Sequence, residues 1–204
     1  MDLLEYEKDL YNNNIKFIAG VDEVGRGPLV GPVVACAVIL PVNYKLDGLT
    51  DSKKLSEKKR ELYFDIIMRD AISVNVAECS AKEIDELNIY QASREAMMRA
   101  INGLSVKPEH VLVDAMPLVD LDIPSTSIIK GDAKSLSIAA ASVIAKVTRD
   151  RIMSDLAKVY PNYEFDKHKG YPTKKHLEII EEYGVLDNYR TTYKPVKKIL
   201  ERNE

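Results

Sequence analysis

The sequence predicts an α/β fold: one sheet of mixed strand direction, helices on both of its faces, and a helical C-terminal part. Three observations carry this expectation. Apolar runs rich in Val, Ile and Ala alternate with helical periodicities in the order helix, strand pair, helix, strand, helix, strand, strand. The first two strands, 16–23 and 30–40, are separated only by the Gly- and Pro-bearing break 25–29, so they read as an antiparallel pair and exclude an all-parallel sheet. After residue 133 the pattern is helical only.

Residues 2–12 read as a short helix with Leu3, Leu4 and Leu10 available for burial, stopped by the Asn run 12–14. Ser56 is a possible N-cap for a helix over 56–70, whose Leu62, Tyr63, Ile66 and Ile67 form the expected inward stripe. Residues 71–79 alternate like a strand. Residues 83–103 read as one helix with Ala92, Ala96, Met97 and Ala100 inward and Gly103 as its stop. Segments 110–116 and 126–130 are short buried strands. The pattern over 133–159 is a long helix with the small centre AAAS, suited to close packing. Residues 162–173 are irregular, 174–184 are a helix stopped by Gly184, and 195–202 are a last basic helix.

The 204 residues are 46% hydrophobic, enough for one sizeable core, with one main domain and a small extension as the expected division. The formal net charge of −3 does not by itself point to nucleic acid. The positive charge is clustered, however: 51–60 and 190–204 each carry five basic and two acidic residues. Cys36 and Cys79 sit in apolar strand-like runs without metal or disulfide spacing, as suits a reducing cytoplasm. The acidic, polar N-terminus does not read as a signal peptide. No apolar run reaches the ~20 residues of a membrane span, so no membrane association is expected.

Acids stand where apolar elements end. Asp22 and Glu23 close the first strand, Asp114 closes VLVD, and Asp132 lies between strand 126–130 and the long helix. Strand ends are where α/β sheets build sites. Four carboxylates gathered there repel unless cations stand between them, and they are the hard oxygen ligands of Mg²⁺ or Mn²⁺. Two such ions can activate water and stabilise the leaving oxygen of a phosphodiester. Taken singly, Asp132 reads more readily as a helix N-cap than as a ligand, while Asp114 reads equally as a turn residue and Asp22–Glu23 equally as a solvated strand end. Neighbouring strand residues face opposite ways, so Asp22 and Glu23 share a site only if the strand ends or bulges there.

The motifs GVDEVGRGPLVGPVVACAVIL, LTDSKKLSEKKRE, EIDELNIYQASREAM, VLVDAM, KGDAKSLSIAAASVIAKVTRDRIM and HKGYPTKKH follow one another from about residue 18 to 200. In this order they resemble the bacterial type 2 ribonuclease H (ribonuclease HII) family. The resemblance implies a ribonuclease-H-like mixed five-stranded sheet flanked by helices, as a catalytic domain over 1–160. It implies a helical C-terminal region, 161–204, that closes over the substrate. It implies an endoribonuclease that hydrolyses the RNA strand of RNA–DNA hybrids. Such an enzyme also cuts 5′ of single ribonucleotides embedded in duplex DNA, leaving 3′-hydroxyl and 5′-phosphate ends.

The family's four acids fall on Asp22, Glu23, Asp114 and Asp132, which are expected to hold two divalent metal ions, Mg²⁺ or Mn²⁺. Its GRG motif falls on Gly25, Arg26 and Gly27, which read the 2′-hydroxyl and grip neighbouring phosphates. Its stacking tyrosine falls on Tyr171, expected against the deoxyribose 3′ of the ribonucleotide. Lys53, Lys54, Lys146 and Arg149 are candidate phosphate contacts. Ser135 and Ser142 are candidates to face substrate, Ser142 equally a packing residue. His168 and Lys169 can face the nucleic-acid backbone, with no catalytic role assigned to His168.

The family's Arg-Arg-Ser-Phe-type segment is represented here by Arg190, Thr191, Thr192 and Tyr193, which leaves its contacts open. No clamp-binding peptide is evident at the C-terminus, and a monomer is expected. A junction resolvase or transposase core and a non-catalytic nucleic-acid binder are rival readings, opposed by GRG with HKGYPT and by the four acids. A P-loop phosphotransferase has no support, since GxxxxGK(S/T) does not occur.

Overall fold

The computed structural model describes residues 3–50 and 52–203. Asp2 of the first predicted helix, Asp51 of the basic segment and Glu204 of the tail lie outside the described residues. The elements in chain order are α1 (Glu5–Asn12), β1 (Ile18–Val24), β2 (Val33–Ile39), α2 (Glu57–Asp70), β3 (Ser73–Cys79), α3 (Ala81–Leu87), α4 (Ile89–Asn102), β4 (His110–Asp114), β5 (Ser125–Ile128), α5 (Leu136–Val159), α6 (Phe165–His168), α7 (Lys174–Tyr183) and α8 (Lys194–Asn203). Single 3₁₀ turns occupy Ser52–Lys54, Gly131–Ala133 and Pro161–Tyr163.

The five strands form one sheet in the order β3-β2-β1-β4-β5. β2 is antiparallel to β1 and β3, whereas β1, β4 and β5 are mutually parallel. β1 is therefore the central strand. Both faces of β1 and β2 are covered, which is why residues 18–21 of β1 and all of β2 are continuously apolar instead of alternating. One face packs Ala19, Val21, Ala35 and Ala37 against Ala92, Ala96, Met97 and Ala100 of α4. The other packs Cys36 and Val38 against α2 and the alanines of α5.

The small centre of α5 and Gly20 of β1 answer each other. A methyl group on Gly20 would stand 2.0 Å from the Ser137 carbonyl carbon, so the helix backbone lies directly on the strand.

Two helices differ from the sequence-based expectation. The segment expected as one helix over 83–103 is α3 and α4, broken at Asn88. Asn88 adopts φ 68°, and its side chain accepts from the N–H groups of Tyr90 and Gln91, capping α4. Asn tolerates positive φ and is a strong N-cap, and here that local preference overrides continuous helical periodicity. In α2, Tyr63 and Ile67 are buried but Leu62 is 55% exposed. One residue turns the helix by about 100°, so Leu62 falls off the stripe that Tyr63, Ile66 and Ile67 define.

The C-terminal helices do not form a core of their own. Phe165, Ile179, Ile180, Tyr189 and Val196 pack with Leu29 and Val30, from the loop after β1, and with Met153 of α5. Among the described residues, no helix is long and apolar enough to cross a membrane.

Candidate active site

β1 and β4 run side by side in parallel with Val21 opposite Val113, so Asp22 and Asp114 follow next to each other at one end of the sheet. Asp114 is also opposite Ile128 of β5. The chain leaves β5, turns at Lys130 with φ 58° and comes back through Gly131–Ala133. The Gly131 N–H donates to Asp114 Oδ1 at 2.6 Å, which ties the turn carrying Asp132 to the end of β4. Asp22 and Asp132 are buried, at 7% and 8% exposure.

β1 does not bulge at the acids: on the β2 side pairing continues to Val24, while the register with β4 stops at Val21. Asp22 lies on the α5 face with Gly20, and Glu23 on the α4 face with Val21. They meet at the strand end, where the Glu23 N–H donates to Asp22 Oδ1 at 2.7 Å.

These carboxyls feel one another. Burial raises Asp22 well above the usual carboxylate range, and the charges of Glu23 and Asp114 raise it further; a hydrogen bond from Ser142 acts the other way. Glu23 is pushed up to about 7, first by burial and then by Asp114, against the opposing pull of Arg26 and Lys53. The Arg26 guanidinium stands 3.6 Å from the Glu23 carboxylate.

Among the described residues, no set of three or more His, Cys, Asp or Glu side chains already stands at metal-ligand spacing. The carboxylates turn instead to nearby protein donors. Their chemistry nevertheless fits a divalent cation: hard oxygen donors, two of them buried, with Asp22, Glu23 and Asp114 repelling one another.

The 25–32 loop beside them is held from beneath by two buried arginines. Arg149 donates from Nε to the Pro32 carbonyl, from Nη1 to that of Lys169 and from Nη2 to that of Val30, at 3.0–3.1 Å. It presses against Gly25, which has φ +100° and where a methyl would stand 2.3 Å from Arg149 Nε. Only glycine meets both demands. Arg190 donates to the carbonyls of Gly25 (2.6 Å), Arg26 (3.0 Å) and Gly31 (2.9 Å), and the Tyr193 hydroxyl also donates to that of Arg26 (2.7 Å). Burial lowers both guanidinium groups, Arg149 to about 10.

There is no cis peptide among the described residues. With the carbonyls of Gly25 and Arg26 drawn toward Arg190, the N–H groups of Arg26 and Gly27 point the opposite way. Arg26 and Gly27 are exposed. Tyr171, 41% exposed, brings its ring to 3.4 Å from where a Gly27 methyl would stand.

Lys53 and Lys54 are exposed on the 52–54 turn. That turn is tied to α5 by a 2.8 Å bond between the Ser52 and Ser142 hydroxyls, and to α2 by Arg60, which donates to the Ser52 carbonyl at 3.2 Å. Lys53 is close enough for its charge to act on Glu23.

Three expected substrate contacts are placed otherwise. Arg149 is fully buried and spends its donors on backbone carbonyls, so it supports the loop instead of meeting phosphate. Ser135 is fully buried and is the N-cap of α5, donating to Glu7 and accepting from Ile138 N–H. Lys146 is ion-paired with Asp150 one turn on. With Ser135 as the cap, Asp132 is not one.

His168 and Lys169 also turn inward. His168 bonds the Tyr163 carbonyl and the Gly170 N–H, and Lys169 Nζ bonds Ser154 Oγ. The sequence reading missed Glu7, His176 and the loop-holding role of Arg190 and Tyr193. Arg190 alone carried a signal, as a charged residue inside an aromatic-bearing segment.

The mixed five-stranded sheet in this order, flanked by helices and followed by a helical C-terminal part, is of the ribonuclease-H-like class. The family model described as Ribonuclease HII matches residues 19–196. The Ribonuclease HII of Bacillus cytotoxicus is 57% identical over 200 residues, 98% of this chain and 77% of that protein. The crystal structure of ribonuclease H2 from Pyrococcus horikoshii superposes with a TM-score of 0.76 at 31% identity, covering 91% of this chain and 97% of that one. The Archaeoglobus fulgidus RNase HII, solved in a complex with PCNA, gives 0.71 at 27% identity, covering 87% and 95%. The chain belongs to the ribonuclease HII family. It is an endoribonuclease of the ribonuclease H type, acting on RNA–DNA hybrids.

Proposed function

We propose that the enzyme cuts on the 5′ side of ribonucleotides, including a single one embedded in duplex DNA, leaving 3′-hydroxyl and 5′-phosphate ends. Asp22, Glu23, Asp114 and Asp132 are the residues that would hold two divalent cations, Mg²⁺ or Mn²⁺. When bound, such ions lower the pKa of an attacking water and neutralise charge at the leaving oxygen.

The chain's own part is recognition and alignment. The observation that carries the reading is the 25–27 loop: its carbonyls are taken by Arg190 and Tyr193, so the N–H groups of Arg26 and Gly27 are turned away from them, next to Asp22 and Glu23. Amides so oriented suit a 2′-hydroxyl, the group that separates RNA from DNA. The Arg26 guanidinium, with a 46% exposed side chain, suits a phosphate. Tyr171 stands across Gly27 as a stacking surface for the sugar on the 3′ side. Lys53 and Lys54 extend the positive edge. The C-terminal helices, sharing a core with Leu29 and Val30, suit closure over the duplex from that side.

A DNA duplex carrying one ribonucleotide, incubated with and without divalent metal and mapped to the nucleotide, tests this. Metal-dependent cleavage 5′ of the ribonucleotide is expected; no cut, or a cut elsewhere, overturns the reading.

A further inference from the structure

Helix α1 precedes the family-matched residues 19–196, yet it delivers a buried carboxylate to the start of α5. Glu7 is fully buried. Its Oε1 accepts from the Ser135 hydroxyl at 2.6 Å and from the Ser137 N–H at 3.0 Å. Ser135 Oγ, its proton given to Glu7, accepts from the Ile138 N–H at 3.2 Å. The Leu136 N–H donates to the Leu3 carbonyl at 2.7 Å. The first N–H groups of α5, which have no partner within the helix, are thus all taken, two of them by the α1 segment directly. A carboxylate here also meets the positive end of the helix dipole.

Glu7 Oε2 has no hydrogen-bond partner among the described residues. A buried, half-satisfied carboxylate is costly, so self-stabilisation is a poor account of it. What its Oε1 does is hold Ser135, and Ser135 ends the turn that carries Asp132. The N–H groups of Lys134 and Ser135 both donate to the Gly131 carbonyl, at 2.9 and 2.8 Å. Gly131 in turn donates to Asp114. An unbroken series of hydrogen bonds therefore runs from Glu7 through Ser135 and Gly131 to Asp114, with Asp132 inside it.

We infer that Glu7 is a positioning residue for the active site, fixing the turn that presents Asp132 and binds Asp114. The inference rests on the reading of these acids as the metal-holding set. Its effect is first on backbone order and only then on metal affinity and rate.

The test compares Glu7→Ala with Glu7→Gln, whose amide oxygen can still accept both bonds. In Glu7→Ala, metal-free amide exchange over residues 131–138 is expected to quicken about fivefold or more, as for a lost cap, with the centre of β2 unchanged. Mn²⁺ affinity measured by calorimetry without substrate is expected to fall about tenfold. The rate constant kcat should fall with KM for the duplex unchanged, and Glu7→Gln should restore all three.

Unchanged exchange over 131–138, a uniform rise across the sheet, or losses that Glu7→Gln does not restore would overturn the inference. Wild-type protein that binds no Mn²⁺ would overturn the metal reading instead, while the exchange comparison still decides the positioning role. If Glu7→Ala does not fold, Ser135→Ala breaks the same series at its second member and is expected to show the same local exchange.

Discussion

Burial and mutual repulsion work against the negative charge of Asp22 and Glu23, and this has consequences at single residues. Asp114 accepts from Gly131 and raises both β1 acids, so it links the two sides of the site. Asp114→Asn is expected to lower cleavage by at least about a hundredfold, the scale of losing one charge-stabilising group, while duplex binding persists. Wild-type-like turnover in a single-turnover assay would remove Asp114 from the machinery.

Glu23 gives a pH prediction. Its folded value of about 7 lies above the ordinary 4.5, so the fold prefers the protonated form. That stability is fully present below pH 4.5 and is lost as pH rises through 7. In the chelated protein, melting curves should show wild type losing stability relative to Glu23→Gln across this window, by at most about 3 kcal/mol. A pH-independent difference contradicts the assignment.

Among the elements, the segment that carries Tyr171 depends on a pair of stacked imidazoles. The rings of His168 and His176 lie 3.9 Å apart. His168 Nδ1 accepts from the Gly170 N–H, so its Nε2 carries the proton given to the Tyr163 carbonyl. His176 Nδ1 faces the Tyr171 carbonyl as donor, and its Nε2 accepts from the Tyr189 hydroxyl. Both rings are thus held neutral. Burial, with His168 alongside, lowers His176 from 6.5 to about 4.

The associated stability is present above pH 6.5 and is lost as pH falls toward 4. Melting curves of wild type and His176→Phe should therefore converge in that window; parallel curves would contradict it. Glu23 acts with opposite sign over nearly the same range, so each contribution is read against its own variant.

The segment holding Arg190 makes a second element-scale prediction. Thr191 and Thr192 are stapled to Asp85 of α3 by side-chain and backbone bonds, which fixes Arg190 beneath Gly25. Tyr193→Phe removes one of two donors to the Arg26 carbonyl at a stability cost of about 1 kcal/mol. Discrimination between RNA-containing and all-DNA duplex is expected to weaken with it. Unchanged discrimination at reduced Tm would make Tyr193 a stability residue only.

Over the whole molecule, recognition and chemistry meet because two distant parts of the chain close on one strand end. Tyr171 comes to Gly27 because the C-terminal helices share their core with Leu29 and Val30 and the Leu29 N–H donates to the Gly170 carbonyl at 2.8 Å. Tyr171→Ala is expected to impair cutting at a single embedded ribonucleotide more than binding to plain duplex. Equal and unchanged cleavage of long hybrid and single-ribonucleotide substrates would count against the junction role.

The local signals that made the fold legible were strong ones. Continuous apolar runs marked β1 and β2, the Gly–Pro break marked their antiparallel pairing, and the Ala-rich run marked α5. The positions of Asp22, Glu23 and Asp114 were legible because these acids end apolar runs. Asn88 was missed because one residue's backbone preference broke a periodicity that otherwise continued. Arg149 and Ser135 turn inward against the expectation, because a polar residue on a helix looks the same in sequence whether it faces solvent or a buried partner.

By itself the sequence determined the α/β order and the mixed sheet, and placed Asp22, Glu23 and Asp114 at strand ends and Arg26 between glycines, since each depends on residues close together in the chain. Only the tertiary structure decided which charged groups are buried. Glu7 at the start of α5 and Arg149 and Arg190 beneath the loop depend on partners more than a hundred residues away, and the cost of burying charge is set by where those partners stand.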